Sequence, residues 1–148
     1  MVAEVEVAKT LTDEIFTNLR GLGQRITKER ELLILTLDET DKALTPYELH
    51  ELASNKGEIG LTTTYRLLET LLKNGYVEVF LVNGELRYSL CRPTHHHHLV
   101  CTTCYRMQDF DQCDFGSIEL RDFNSSSHRL EIFGTCSTCT LNKIRISN

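Results

Sequence analysis

The sequence predicts an α+β protein in two parts: a helical N-terminal part ending in a β-hairpin, then a small α/β part organised around metal. Three observations predict it. Segments with helix-start signals and apolar stripes fill most of the chain from residue 13 to residue 74. An Asn83-Gly84 pair then separates two β-rich runs, a strong hairpin signal. Finally, all six cysteines and five of the six histidines lie at or beyond Cys91. That break divides the chain into a first domain, 1–90, and a second, 91–148.

The elements follow in order. Asp13 to Leu22 reads as a helix capped by Thr12, with Ile15, Phe16, Leu19 and Leu22 on its apolar face. Thr27 to Asp38 is a second helix, with Leu32, Leu33, Leu35 and Leu37 inward. Thr45-Pro46-Tyr47-Glu48 combines a cap, a proline in the first helical position and a glutamate three residues after the cap. The helix it starts carries Leu49, Leu52 and Ala53 and stops near Asn55–Gly57. Leu61-Thr62 opens a fourth helix, Thr63 to Asn74, with Tyr65, Leu68, Leu71 and Leu72 as its buried set and Gly75 closing it. Tyr76 to Val82 and Glu85 to Leu90 are the arms of the hairpin. Short helices followed by a hairpin make a winged helix-turn-helix; a generic helical bundle with a stray hairpin is the competing pattern.

Composition sets limits. The chain has a net charge of −5 and 41% hydrophobic residues. No apolar run has the length of a membrane span, and the N-terminus carries acids where a signal peptide carries base. A cytoplasmic protein is expected, without membrane or small-molecule partners, whose cysteines are ligands or thiols. The net charge gives no support for nucleic acid. Arg20, Arg25, Lys28 and Arg30 nevertheless cluster with only Glu29 among them, and local fields govern a phosphate contact.

Cys101-Thr-Thr-Cys104 and Cys136-Ser-Thr-Cys139 are two CxxC knuckles. Together they make a closed tetrahedral site for a structural Zn²⁺, with no ligand position left open for chemistry. A redox CxxC needs only one pair. Cys91 precedes His95-His96-His97-His98. A purification tag would be terminal and longer. In an extended run, His96 and His98 share one face and can join Cys91 on a metal, while His95 and His97 share the other.

These residues resemble the ferric uptake regulator family of bacterial metal sensors. The resemblance is carried in order by Gly23-Gln-Arg25-Ile-Thr27-Lys-Glu-Arg30, Gly60-Leu-Thr-Thr-Thr-Tyr65-Arg66, His95-His-His-His98-Leu-Val-Cys101-Thr-Thr-Cys104 and His128-Arg-Leu-Glu-Ile-Phe-Gly134-Thr-Cys136. It implies a winged-helix domain joined by a hinge to an α/β dimerisation domain, in a homodimer that binds a palindromic operator in double-stranded DNA when loaded with metal. It places Tyr65 and Arg66 on the recognition helix and Arg25 and Arg30 near phosphates. Thr62, Thr63 and Thr64, with Arg66, can present donors to base edges.

Within the family, the cysteine before the HxH resembles the zinc-uptake regulators, since a thiolate favours zinc over iron or manganese. The implied regulatory zinc set is Glu78, Cys91, His96 and His98. A third site implied by the resemblance takes His95, His97, Glu119 and His128, so one or two regulatory Zn²⁺ accompany the structural one. The segment 111–127 is short for the family, which trims the expected helix there to Ser117–Phe123. Cys113 has no firm counterpart; a buried thiol, an added ligand and a redox-sensitive residue are its three readings. A zinc-responsive repressor of metal-uptake genes, not an enzyme, is the reading. An iron- or peroxide-responsive regulator and a zinc-ribbon interaction module are the alternatives.

Overall fold

Three of the first four helices begin at a threonine, and in each the hydroxyl accepts from the third helical residue. In the computed structural model, which describes residues 9–113 and 120–146, α1 (Leu11–Gly21) is capped by Thr10 in a reciprocal box with Asp13. The expected cap, Thr12, is instead buried in the first turn. The physical reason lies three residues on: Thr10 meets an acceptor at Asp13, whereas Thr12 would meet Ile15. Helix α2 (Lys28–Asp38) is capped by Thr27. Helix α3 (Pro46–Ser54) has the Thr45–Glu48 box and its N-terminal proline. Helix α4 (Leu61–Lys73) starts at Gly60 without a side-chain cap, and Gly75 follows its end at φ +74°.

Ile15, Leu19, Leu33, Ile34, Leu37, Leu49, Ala53, Leu67, Leu68 and Leu71 form the main cluster. The buried stripe of α4 is Thr64, Leu67, Leu68 and Leu71. Tyr65 and Leu72, expected inside, face outward; Leu22 and Leu52 are likewise exposed. Strands β1 (Val77–Val82) and β2 (Glu85–Leu90) form an antiparallel hairpin with Val82 opposite Glu85. Asn83 and Gly84 both have positive φ, as a two-residue type I′ turn requires.

The second sheet has the order β4-β3-β5. Strand β3 (His97–Cys101) is central, antiparallel to β4 (Met107–Phe110) and parallel to β5 (Glu131–Gly134). Helix α5 (Ser137–Ile146) closes the described chain. The helix expected over Ser117–Phe123 falls partly on 114–119, outside the described residues; residues 120–123 form a turn, with Asp122 at φ +54°. No helix of the described residues is long and apolar enough to cross a membrane.

The two sheets are joined by a second apolar cluster, Ala43, Phe80, Val82 and Val100. The strap between α2 and α3 runs through this junction: the Ala43 amide donates to Tyr105 O at 2.8 Å, and Leu44 exchanges two hydrogen bonds with Tyr88. Arg87, 3% exposed, locks it. Its guanidinium donates to Glu48 and Glu85 at 2.9 Å and to Ala43 O at 3.2 Å, and its centre lies 3.3 Å from the centroid of the Tyr105 ring.

Candidate metal centres and nucleic-acid face

The two CxxC knuckles meet. Cys101 ends β3, Cys104 sits in the turn after it, and Cys136 and Cys139 lie just before and inside the first turn of α5. Their four sulfurs lie within 4.8 Å of one another, with Cys104 and Cys136 at 3.7 Å. That spacing is far beyond a disulfide and close to the edge of a tetrahedron with zinc–sulfur bonds of about 2.3 Å. Burial raises the Cys101 thiol, but backbone amides of Cys136, Cys104 and Thr103 outweigh it and bring it down to about 6. Cys139 is pushed up by the side chains of Cys136 and Cys104 beside it. Four thiols so close cannot all ionise unaided, and a dication resolves that conflict.

A second group, Cys91, His96 and His98, is buried, and its ligand atoms also lie within 4.8 Å of one another. Cys91 follows β2, and its amide donates to Tyr76 O at 2.9 Å, which ties it to the end of α4. His96 Nδ1 donates to Thr94 O at 2.6 Å, so Nε2 is left to face Cys91 Sγ at 2.8 Å. His98 Nε2 stands 3.4 Å from the same sulfur. Burial first, then the charges of Glu78 and Asp109, push the Cys91 thiol up to about 12. Burial likewise lowers the His98 imidazole. A buried thiol that resists ionisation beside two imidazole nitrogens fits a cation that would displace its proton.

Glu78 on β1 reaches this group from the hairpin: its Oε2 lies 3.4 Å from His98 Nδ1. Neither atom makes a hydrogen bond, Glu78 Oε2 also lies 3.5 Å from Arg129 Nη2, and Glu78 is not among the donors that converge with Cys91, His96 and His98. Glu78 stands on the Nδ1 side of the His98 ring, while Cys91 stands on the Nε2 side. Asp109, missed in the sequence, lies 3.6 Å from His98 Nε2. It was hidden because it arrives through the β3–β4 register, opposite His98.

A third group is His95, His97, Cys113 and His128. Period-two alternation holds: His95 and His97 point away from His96 and His98. The ring of His95 lies 4.5 Å from that of His128, and Cys113 Sγ lies 2.9 Å from His128 Nε2. Cys113 is exposed, not a buried thiol. Glu119 lies outside the described residues, and the fourth donor among those described is a sulfur.

Helix α4 presents Thr62, Tyr65 and Arg66 to solvent, with Thr63 half-buried. Thr64 corrects the expectation: it is 0% exposed, with its hydroxyl turned back to Gly60 O at 3.4 Å. It belongs to the inward stripe and cannot reach a base. Arg25 is exposed, and Arg30 donates to Gln24 and to Arg25 O, which stiffens the loop before α2.

The ferric uptake regulator family model matches residues 21–133. The zinc uptake regulation protein of Mycobacterium tuberculosis is 36% identical over 128 residues, covering 82% of this chain and 98% of its own. The peroxide-responsive repressor of Staphylococcus saprophyticus is 30% identical over 146 residues, covering 94% and 98%. Among solved structures, the ferric uptake regulator of Francisella tularensis with iron superposes with a TM-score of 0.61 at 26% identity, covering 80% of this chain and 96% of that one. A zinc uptake regulator complexed with zinc and DNA gives 0.63 at 24% identity, covering 92% and 99%.

Proposed function

Because this chain belongs to the ferric uptake regulator family, we propose that it is a zinc-responsive transcriptional repressor, a homodimer that binds a palindromic operator in duplex DNA when loaded with zinc and controls metal-uptake genes. The observation that carries the reading is the buried group Cys91, His96 and His98, with the Glu78 carboxylate 3.4 Å from the far side of the His98 ring. One thiolate and two imidazoles suit zinc better than iron or manganese. The domains are 1–90, which reads DNA, and 91–148, which dimerises.

Glu78 lies on the wing, Cys91 just after it, and His96 and His98 at the start of the second sheet. Zinc bound there supplies one anchor common to both domains. Cys91 would give up its proton to serve as ligand, the Thr94 carbonyl holds the His96 ring in its tautomer, and Glu78, beside His98 Nδ1, would have to swing to the Nε2 side to join them and draw the wing toward β3. That fixes the angle between domains and, in a dimer, the spacing of the two α4 helices. Control then comes from the difference in zinc affinity between fixed and loose arrangements; a coupling of roughly 3 kcal/mol shifts DNA affinity about 150-fold. Thr62, Thr63, Tyr65 and Arg66 read base edges, and Arg25 and Arg30 hold phosphates. The exposed edge strand β5, with Ile132 and Phe133, supports pairing with a second copy. The Cys101, Cys104, Cys136 and Cys139 zinc is structural. His95, His97, Cys113 and His128 form the third, outer site, with the thiol in place of the expected Glu119.

The test is selection from randomised duplex DNA at buffered free zinc. Enrichment of an inverted repeat with zinc, and not with chelator or with Fe²⁺ at equal free concentration, is expected. Enrichment independent of metal, or stronger with Fe²⁺, would overturn the reading.

A further inference from the structure

One side chain bridges the outer cluster and the wing. Arg129 follows His128, a member of the outer cluster, and precedes β5. Its Nη2 donates to Val79 O at 2.7 Å, fifty residues away in sequence. The same nitrogen lies 3.5 Å from Glu78 Oε2, and the guanidinium sits 5.0 Å from the centroid of the Phe80 ring. It therefore touches three consecutive residues of β1. Its Nε pairs with Glu131, which fixes the direction of the fork toward β1. Residues 120–129 are exposed and lie outside helix and strand. On the β5 side, Leu130 O accepts from the His98 amide at 3.2 Å. On the other side, the neighbour that seats Arg129 is His128, in contact with Cys113.

We propose that Arg129 is a clasp that transmits occupancy of the outer cluster to the wing. This rests on the outer cluster being a metal site. Metal on His95, His97, Cys113 and His128 pins residue 128; pinning 128 seats the Arg129 fork on Val79; and Val79 holds Glu78 within reach of His98. Arg129 is thus a positioning residue for the regulatory site, and the two sites are coupled reciprocally.

A double-mutant cycle tests it. Wild type, Cys113→Ser, Arg129→Gln and the double variant are compared for zinc bound per chain and for the free zinc at half-maximal DNA binding. Each single change is expected to raise that zinc midpoint about fivefold, the lower end of usual coupling, and the double variant is expected to match Arg129→Gln alone. Arg129→Lys, which keeps the charge and loses the fork, should behave as Arg129→Gln and guards against a folding defect in the latter. Additive effects of the two changes, or an unshifted midpoint in both Arg129 variants, overturn the clasp. If Cys113→Ser lowers zinc per chain but leaves the midpoint unmoved, the outer site is real and uncoupled, and the clasp is again overturned. If Cys113→Ser removes no zinc, the outer-site reading itself fails and the clasp fails with it.

Discussion

The Cys₄ group and the group around Cys91 are both compact sets of soft and borderline donors, yet they are placed oppositely in the fold. The four cysteines all belong to the second sheet and the helix after it: Cys101 and Cys104 flank a tight turn, and Cys136 and Cys139 start α5. They join pieces of one unit, and every donor is a sulfur, Cys101 buried and the other three half-buried. Cys91, His96 and His98 instead lie where the hairpin hands over to the second sheet, with carboxylates arriving from both sides, Glu78 from β1 and Asp109 from β4. The first arrangement can only hold a fold together. On the proposed reading the second, with Glu78 on the hairpin joining donors that follow it, couples its filling to how hairpin and second sheet sit. Ligand placement across a boundary, more than ligand chemistry, separates a structural site from a regulatory one.

Breaking the first group should do the most damage. Cys136→Ser is expected to lose one zinc per chain and hydrogen-exchange protection in β3, β5 and α5, while α1–α4 stay protected. Binding of structural zinc supplies on the order of 10 kcal/mol of folding free energy in small domains. Retention of that zinc with a fully protected second sheet would erase the distinction between the groups. Next in size is the junction itself. Arg87 is buried with Glu48, Glu85 and Tyr105 around it. Arg87→Ala removes these contacts, but both glutamates are partly exposed and Glu48 keeps the Thr45 amide, so a loss of about 1.5–3 kcal/mol readable in urea unfolding is expected. A loss within 0.5 kcal/mol would mean the junction is not held there. Smallest is a change remote from both groups: Arg66→Ala should weaken operator binding by about 1–3 kcal/mol at one fixed salt concentration, with zinc content and unfolding midpoint unchanged. Unaltered affinity would remove α4's Arg66 from the interface.

Much of this was legible in the sequence because its signals are local. The Thr45–Glu48 box, the Asn83-Gly84 turn, Gly75 and the paired CxxC knuckles each need only a few neighbouring residues to be recognised. The alternation of the four histidines is equally local, and the structure keeps it. The cap at Thr10 was a local signal misread; the other errors depend on partners far along the chain. Thr12 lost the cap to Thr10 because an acceptor stands three residues after one and not the other. Thr64 and Tyr65 exchanged sides because the pattern around them is apolar enough to suit two phases, and packing against α2 and α3 chose one. Strands β4 and β5 are four residues each and carry Asp109 and Glu131, so no periodicity marks them; Asp109 beside His98 and Cys113 beside His128 exist only once those strands are paired.

The central claim is that Cys91 belongs to a site whose filling by zinc tightens DNA binding. The direct test is a DNA-binding titration of wild type and Cys91→Ser at buffered free zinc, with zinc per chain counted in parallel. The account predicts that Cys91→Ser keeps the Cys₄ zinc and the dimer, and binds operator DNA with the weak affinity of the chelated wild type at every zinc concentration. A Cys91→Ser protein that tightens on DNA with zinc as the wild type does would contradict it.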